Sequence, residues 1–236
     1  MYKISEIFPA FQGEGSEAGR KTIFIRFYGC PHKCSFCDSR YAWESGEYGS
    51  YTLDEVVRAI QALPNIKHIT FTGGEPMFYD LTSIMLALKT DGYKFSIETQ
   101  GAFYDMTTFT LLDNIVLSPK SPIAGAKATN LDNLHKTLDN FGHKSIIKIP
   151  IFTNTCLNFA KKLHHDYPNV PLYLGVGNAS LDDESAPEQF KQDFNLDGYL
   201  SYYRTLMDLV LADAELVDVF VLPQLHVIAY GNERGK

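Results

Sequence analysis

Short runs of β-branched and aromatic residues alternate along this chain with longer amphipathic stretches. Thr22–Phe27, His68–Thr72, Lys94–Glu98, Asn114–Ser118, Ser145–Phe152, Pro171–Val176 and Asp218–Leu222 read as strands. Between them, Asp80–Lys89, Leu131–Phe141, Thr155–His165 and a long segment from about Leu196 to Leu216 read as helices. A further helix opens at Thr52-Leu-Asp-Glu55, a capping box, and ends near Leu63. Strands separated by helices of roughly 10–15 residues imply βαβ units and a parallel sheet. Right-handed crossovers then place the helices outside. At 236 residues the chain falls short of the about 250 of a full eight-fold barrel. The expected fold class is therefore α/β, a partial (open) TIM-like barrel of about six to seven mostly parallel strands with helices outside. No repeat, low-complexity tract or linker interrupts the pattern, so residues 1–236 are expected to form a single domain.

Composition narrows the functional classes. Hydrophobic residues make up 45%, which suits an ordinary soluble core rather than a disordered chain. A formal net charge of -7 argues against a nucleic-acid surface, because phosphate neutralisation needs a clustered basic face. The opening MYKISEIFPAFQGEG lacks the apolar centre of a signal peptide. No segment approaches the ~18 apolar residues of a membrane span. A cytoplasmic protein is expected, where cysteines more often bind metal or do chemistry than form disulfides.

The cysteines concentrate in Cys30-Pro-His-Lys-Cys34-Ser-Phe-Cys37. A structural zinc site closes with four protein ligands, and most cubane clusters are held by four thiolates. Three thiolates hold three corners of a 4Fe-4S cluster and leave one iron open to a ligand that is not protein. His32 as a fourth ligand would give a zinc knuckle instead. The remaining cysteine, Cys156, stands alone in IFTNTCLNFA and reads as a semi-buried thiol at a helix start. As a fourth cluster ligand it would close the open iron.

The other unusual residues follow the expected strands, where chemistry collects in parallel α/β folds. After the cysteine loop come Thr72-Gly-Gly-Glu-Pro76, Glu98-Thr-Gln-Gly101, Ser118-Pro-Lys120 and Gly175-Val-Gly-Asn178. Gly73 and Gly74 let the backbone approach a ligand closely, and Glu75 and Pro76 fix the turn that presents them.

A three-cysteine loop after one strand and Gly-Gly-Glu-Pro after the next together resemble the radical S-adenosylmethionine (AdoMet) superfamily, over most of the chain. That resemblance implies a 4Fe-4S cluster on Cys30, Cys34 and Cys37. Its open iron chelates AdoMet, and reduction releases a 5′-deoxyadenosyl radical. Such clusters work toward the negative end of a range that reaches roughly -700 mV. Gly74, Glu98, Ser118, Pro119 and Lys120 fall on AdoMet-contact positions, and Phe36 on the position that packs against adenine.

Phe11-Gln-Gly-Glu-Gly15, Cys37-Asp-Ser39, Arg40-Tyr-Ala-Trp43, Leu222-Pro-Gln-Leu-His226 and Gly231-Asn-Glu-Arg-Gly235 narrow the resemblance to the 7-carboxy-7-deazaguanine synthase family of queuosine and deazapurine biosynthesis. The implied activity is a carbon–nitrogen lyase reaction. It contracts the ring of 6-carboxy-5,6,7,8-tetrahydropterin, with loss of ammonia and return of hydrogen from 5′-deoxyadenosine. Phe11, Gln12, Gly13, Glu14, Arg26 and Thr72 are the implied substrate residues, with Arg26 offering a planar fork to the carboxylate. A surface strand arginine is the other reading of Arg26. Ser39 takes the family's Mg2+ position, where threonine is common. Gly175 replaces a frequent glutamine. His226 is either a substrate contact or a structural histidine. A C-terminal proline carboxylate used by some relatives has no counterpart in the Arg-Gly-Lys ending here. The resemblance also implies a homodimer and a flavodoxin or ferredoxin as electron donor. Arg20, Lys21, His32, Lys33 and Arg40 are expected to form a positive patch for that acidic donor. Two rivals remain at this point. A glycyl-radical activase shares the cysteine spacing and the Gly-Gly-Glu-Pro turn, and a non-enzymatic metal-binding module shares the cysteines.

Overall fold

The computed structural model describes residues 1–34, 36–63, 65–124, 131–178, 195–231 and 233–235. Ser35 of the cysteine loop and Asn232 of the C-terminal run lie outside them. The strands are β1 (Tyr2–Phe11), β2 (Lys21–Phe27), β3 (Gly49–Tyr51), β4 (His68–Gly73), β5 (Lys94–Thr99), β6 (Asn114–Leu117), β7 (Ser145–Ile151), β8 (Leu172–Val176) and β9 (Phe220–Val221). The helices are α1 (Leu53–Gln61), α2 (Leu81–Leu88), α3 (Met106–Leu111), α4 (Leu131–Phe141), α5 (Asn154–Asp166), α6 (Leu196–Leu211) and α7 (Leu225–Tyr230). The described strands form one sheet in the order β3-β1-β2-β4-β5-β6-β7-β8-β9. From β2 to β9 every neighbouring pair is parallel. β1 and β3 add antiparallel strands at one edge. The end strands do not meet, so the barrel is open, and its parallel part agrees with the expectation from sequence.

Alternation along each strand sorts residues onto two faces. Ile23, Ile25 and Phe27 of β2, Ile69 and Phe71 of β4, Phe95 and Ile97 of β5, and Ile147, Ile149 and Ile151 of β7 join helix residues such as Val56, Ile60, Ile84 and Leu134 in one buried core. The intervening residues face the barrel interior. They include Arg26, Thr72, Glu98, Ser118 and Lys148, all of which line one cavity. This inner face is polar because it encloses a site rather than a packed core.

β1 was not anticipated, because Ile4 and Ile7 are three apart and break the two-residue period of a strand. A register slip between Ile4 and Glu6 accounts for the spacing. Pro9 is tolerated because β3 pairs only with Tyr2–Ile4, which leaves the later part of β1 as a free edge. α1 opens with the expected capping box: Thr52 Oγ1 accepts from Glu55 N at 3.3 Å, and Glu55 Oε2 accepts from Thr52 N at 2.8 Å. α6 stops at Leu211, short of the expected Leu216. Asp213 turns the chain there, its carboxylate accepting from Glu215 N at 3.0 Å. Among the described residues no helix is long and apolar enough to cross a membrane.

Candidate active site

The cavity is lined from the C-terminal ends of all the parallel strands. Cys30, Cys34 and Cys37 follow β2, Gly73 and Gly74 close β4, and Thr99 and Gln100 end β5. Ser118 and Lys120 follow β6, Phe152 follows β7, Gly177 and Asn178 follow β8, and Gln224 and His226 come after β9.

The cysteine loop is built to present sulfur. All three thiols are free and share the cavity wall. The backbone N–H of His32 donates to Cys30, and that of Ser39 to Cys37. Trp43 Nε1 also donates to Cys37 Sγ, at 3.3 Å. Burial pushes the Cys30 thiol up to about 12 and raises Cys34 and Cys37 as well. Iron binding therefore displaces protons from these thiols. Among the described residues no three His, Cys, Asp or Glu side chains gather tightly around a single-ion point. That does not support a zinc site completed by His32, whereas a four-iron cube needs thiolates spaced around a larger body. Cys156 is fully buried against Ser121, with Sγ 3.4 Å from Ser121 Oγ, and does not line the cavity.

The Gly-Gly turn presses against this loop. A Cβ on Gly74 would lie 2.1 Å from Gly29 O and 3.2 Å from Cys30 Cβ. Gly74 N donates to Phe27 O and Glu75 N to Gly29 O, at 3.0 and 2.8 Å. The buried Glu75 carboxylate accepts from Thr99 Oγ1, Met77 N and Gln100 N, at 2.7, 3.1 and 3.3 Å. Burial pushes this carboxyl above its usual value, and the hydrogen bonds from Thr99, Met77 and Gln100 offset only part of the rise. The turn is thus tied to the end of β5. Phe36 packs on Phe152 with ring centroids 4.7 Å apart.

The Gln12–Gly15 segment enters from the opposite end. β1 runs antiparallel to β2, and its last residue, Phe11, pairs with Lys21 at the start of β2. The chain then turns under the barrel and sends Gln12 and Glu14 upward. Gln12 Nε2 donates to Glu98 Oε1 at 3.1 Å, and Thr72 Oγ1 to Glu98 Oε2 at 2.9 Å. Lys148 forms a close ion pair with Glu14 and lies 3.7 Å from Glu98 Oε1. Gln224 Nε2 donates to the other Glu14 oxygen at 2.7 Å. Burial opposes the Glu14 charge, but Lys148 and then His226 overcome it and hold the carboxyl below its usual value. Burial likewise opposes the Lys148 charge, and Glu14 and Glu98 carry its pKa above the ordinary lysine value. Gly13 has no room for a side chain: a Cβ there would lie 2.1 Å from His226 Nδ1.

Arg26 sits on the inner face, not the surface, with its side chain 17% exposed. Its Nη1 donates to Ser39 Oγ at 3.3 Å, and Ser39 Oγ donates to Asp38 Oδ1 at 3.0 Å. Two hard oxygen donors therefore stand side by side next to the cysteine loop, a partial set of the kind Mg2+ takes together with water.

The radical SAM superfamily profile matches residues 24–118. The crystal structure of QueE from Escherichia coli has the same fold, with a TM-score of 0.69 at 24% identity over 95% of this chain and 94% of that one. The 7-carboxy-7-deazaguanine synthase of Bacillus cereus is 33% identical over 98% of each chain. That of Bacillus subtilis (strain 168) is 36% identical over 98% of this chain and 97% of its own. This chain belongs to the 7-carboxy-7-deazaguanine synthase family. As a member of a radical SAM family it uses a 4Fe-4S cluster and AdoMet.

Within this synthase-family fold, Glu98, expected among the cofactor residues, bonds to Gln12 and Thr72, expected among the substrate residues. One expectation from sequence needs revision. The positive docking patch does not assemble. Arg20 and Lys21 lie at the start of β2, the end remote from the cysteines, where Arg20 pairs with Glu17 at 3.1 Å. His32 is buried, at 6% exposure. Only Lys33 and Arg40 remain beside the loop. The two inner polar residues that sequence reasoning passed over are Lys148 and Gln224. Lys148 had a signal: a lone charge in the otherwise apolar run Ser-Ile-Ile-Lys148-Ile-Pro-Ile.

Proposed function

We propose that this chain is a 7-carboxy-7-deazaguanine synthase acting on 6-carboxy-5,6,7,8-tetrahydropterin, with loss of ammonia and ring contraction. The observation that carries the reading is the shared cavity: three thiols and the Gly74 wall at its mouth, and Gln12, Glu14, Thr72, Glu98, Lys148 and Arg26 beneath them. When bound, the cluster and AdoMet supply a 5′-deoxyadenosyl radical. Cys30, Cys34 and Cys37 hold the cluster, while Gly74, Ser118, Pro119 and Lys120 hold AdoMet against the mouth.

The chain's own residues then fix the pterin. Glu14 and Glu98 accept from its amino and ring N–H groups, and Gln12 and the backbone of Phe11 and Gly13 meet its edge. Lys148 makes two inward carboxylates tolerable, since an unpaired buried carboxylate is strongly disfavoured. Arg26 takes the substrate carboxylate, beside Ser39 and Asp38, whose oxygens would hold a Mg2+ ion that offsets negative charge there. A cytoplasmic homodimer receiving electrons from flavodoxin or ferredoxin completes the proposal. The test is anaerobic incubation with AdoMet, a reductant and 6-carboxytetrahydropterin. Appearance of the deazaguanine chromophore with stoichiometric ammonia supports the assignment. Formation of 5′-deoxyadenosine with the pterin left intact would overturn it, and a glycyl-radical signal on a partner protein would restore the activase alternative.

A further inference from the structure

The register slip in β1 has a specific result. In an uninterrupted antiparallel ladder, Ile4 opposite Phe27 would put Ser5 opposite Arg26 and Glu6 opposite Ile25. The extra residue instead puts Glu6 opposite Arg26 and Ile7 opposite Ile25. Successive side chains point to opposite faces, so the slip decides which face Glu6 takes. With it, Ile4 and Ile7 both pack into the core on the helix side. Glu6 and Phe8 both turn inward, Phe8 stacking on Phe24 with centroids 5.4 Å apart. The displaced Ser5 Oγ is left buried with no hydrogen-bond partner among the described residues. A bulge that turns a carboxylate into the barrel at the expense of a stranded hydroxyl has a use beyond packing.

Once inside, Glu6 is fully engaged. Its Oε2 accepts from Arg26 Nε at 3.0 Å and from Tyr41 OH at 3.1 Å. Its Oε1 accepts from Arg234 Nε at 2.7 Å. Arg234 lies over the Tyr41 ring, 4.1 Å from its centroid, and also reaches the exposed Glu47 at 3.1 Å. Arg26 lines the cavity, but Glu6, Tyr41 and Arg234 do not. They can reach the substrate only through Arg26. A Glu6–Arg26 pair alone would be neutral and would attract a further carboxylate weakly. Adding Arg234, itself 42% exposed, returns the Glu6, Arg26 and Arg234 group to one net positive charge, of which water screens the Arg234 share in part and its more exposed partner Glu47 further.

We propose that Glu6 is a positioning residue that aims Arg26 at the substrate carboxylate, and that Arg234 is the counter-charge that leaves Arg26 free to bind it. The proposal rests on the pterin-carboxylate reading above, and its test separates the two.

Binding of two probes, 6-carboxypterin and unsubstituted pterin, is measured anaerobically on the AdoMet-loaded holoenzyme, alongside turnover of 6-carboxytetrahydropterin. Wild type is expected to make product and to prefer the carboxylated probe. Glu6→Ala raises the net charge of the group but frees Arg26 from the acceptor that orients it, and should weaken 6-carboxypterin about tenfold, the size of one misplaced hydrogen bond to a charged group. Pterin binding should stay within about twofold of wild type. Glu6→Gln, which keeps an acceptor for Arg26 Nε, should recover most of the loss. Arg234→Ala, at a residue 42% exposed and so of little consequence for folding, should weaken the carboxylated probe several-fold. In turnover these losses should appear in KM before kcat. Equal weakening of both probes, or an unchanged preference in Glu6→Ala and Arg234→Ala, overturns the positioning role while product formation still stands. A wild type that makes no product removes the reading of the site, and the proposal with it.

Discussion

Replacing Lys148 by methionine removes the one cation shared by Glu14 and Glu98. The lysine pairs closely with Glu14 and lies 3.7 Å from Glu98 Oε1. The side chains are 16%, 23% and 18% exposed, so water screens them only in part. Breaking a buried ion pair by removing one partner costs about 3–5 kcal/mol, and the residual exposure places this case at the low end, about 3 kcal/mol. For a chain of this size 1 kcal/mol moves Tm by about 2–4 °C, so the melting temperature should fall by roughly 6–12 °C. The pH dependence has a definite sign. In wild type, Lys148 holds the Glu14 carboxyl below its usual value against burial. That contribution is complete above the unfolded pKa of about 4.3 and fades as pH falls through the lowered folded value. In the variant burial is opposed only by His226 and the Gln224 donor, the carboxyl rises, and acid relieves its charge. The gap in Tm between the two proteins should therefore narrow from pH 7.5 to pH 5. Circular dichroism melts of the cluster-free proteins measure it. Glu14→Gln combined with Lys148→Met should recover part of the stability but not turnover, since Glu98, still held by donors from Gln12 and Thr72, is then the one carboxylate left without its cation. Lys148→Met melting within about 2 °C of wild type at pH 7.5, or a gap that widens in acid, would refute the reasoning.

Gly74→Ala should lose most of its iron in anaerobic reconstitution, because the new methyl meets Gly29 O at 2.1 Å and moves the Cys30 loop; full occupancy by iron and sulfide analysis would show that the loop yields without cost. Trp43→Phe removes the Nε1 donor 3.3 Å from Cys37 Sγ. A donor to thiolate favours the more negative, reduced state, so redox titration followed by EPR should find the midpoint lower by some tens of millivolts, a fraction of the ~1.5–3 kcal/mol of a hydrogen bond to a charged group. Glu17 lies under the barrel. Burial opposes its charge, but hydrogen bonds from His68 and Ser96 hold its carboxyl below the usual value. Its contribution to stability is complete above about pH 4.3 and disappears as pH falls through the folded pKa, so Glu17→Gln should flatten the acid limb of a urea-stability profile between about pH 5 and 3. An unchanged slope there would assign acid sensitivity to other carboxylates.

The parallel part of the fold was legible because its signals are local and repeated. The parallel strands β2 and β4 to β7 carry β-branched runs, and α1 carries its capping box. Their C-terminal ends could be lined up as one site before any contact was known. What escaped was information that exists only between segments. β1 hides its period behind a single inserted residue, and whether Glu6 faces core or cavity depends on pairing with β2. The Gln12–Gly15 segment carried a recognisable motif, but a motif does not tell from which end of a barrel it enters. Lys148 was visible as an isolated charge, yet its partners are Glu14 and Glu98, far away in sequence. The docking patch failed for the converse reason: Arg20 and Lys21 lie near the cysteines in sequence, but β2 runs between them and carries them to opposite ends of the sheet.

The charges of the interior follow from that topology. Parallel strands deliver Arg26, Glu98 and Lys148 to one inner face. The antiparallel β1 adds Glu6 from the side, the turn after it adds Glu14 from below, and the C-terminal segment adds Arg234. Three acids thus meet three bases, each acid within 4 Å of a base: Glu6 with Arg26 and Arg234, and Glu14 and Glu98 with Lys148. The interior is balanced before any substrate enters, which is what permits so many charges in a half-buried space. The balance is not uniform. The Glu14, Glu98 and Lys148 group carries one net negative charge, and the Glu6, Arg26 and Arg234 group one net positive charge, with the Asp38 carboxylate beside it across Ser39. A flat molecule with amino and ring N–H donors at one end and a carboxylate at the other, the kind proposed above as substrate, would be held in a single orientation by that separation. The opposite orientation would set its carboxylate against Glu14 and Glu98 and its donors against Arg26, so the polarity of the site would select the pose before any contact with the cofactor is made.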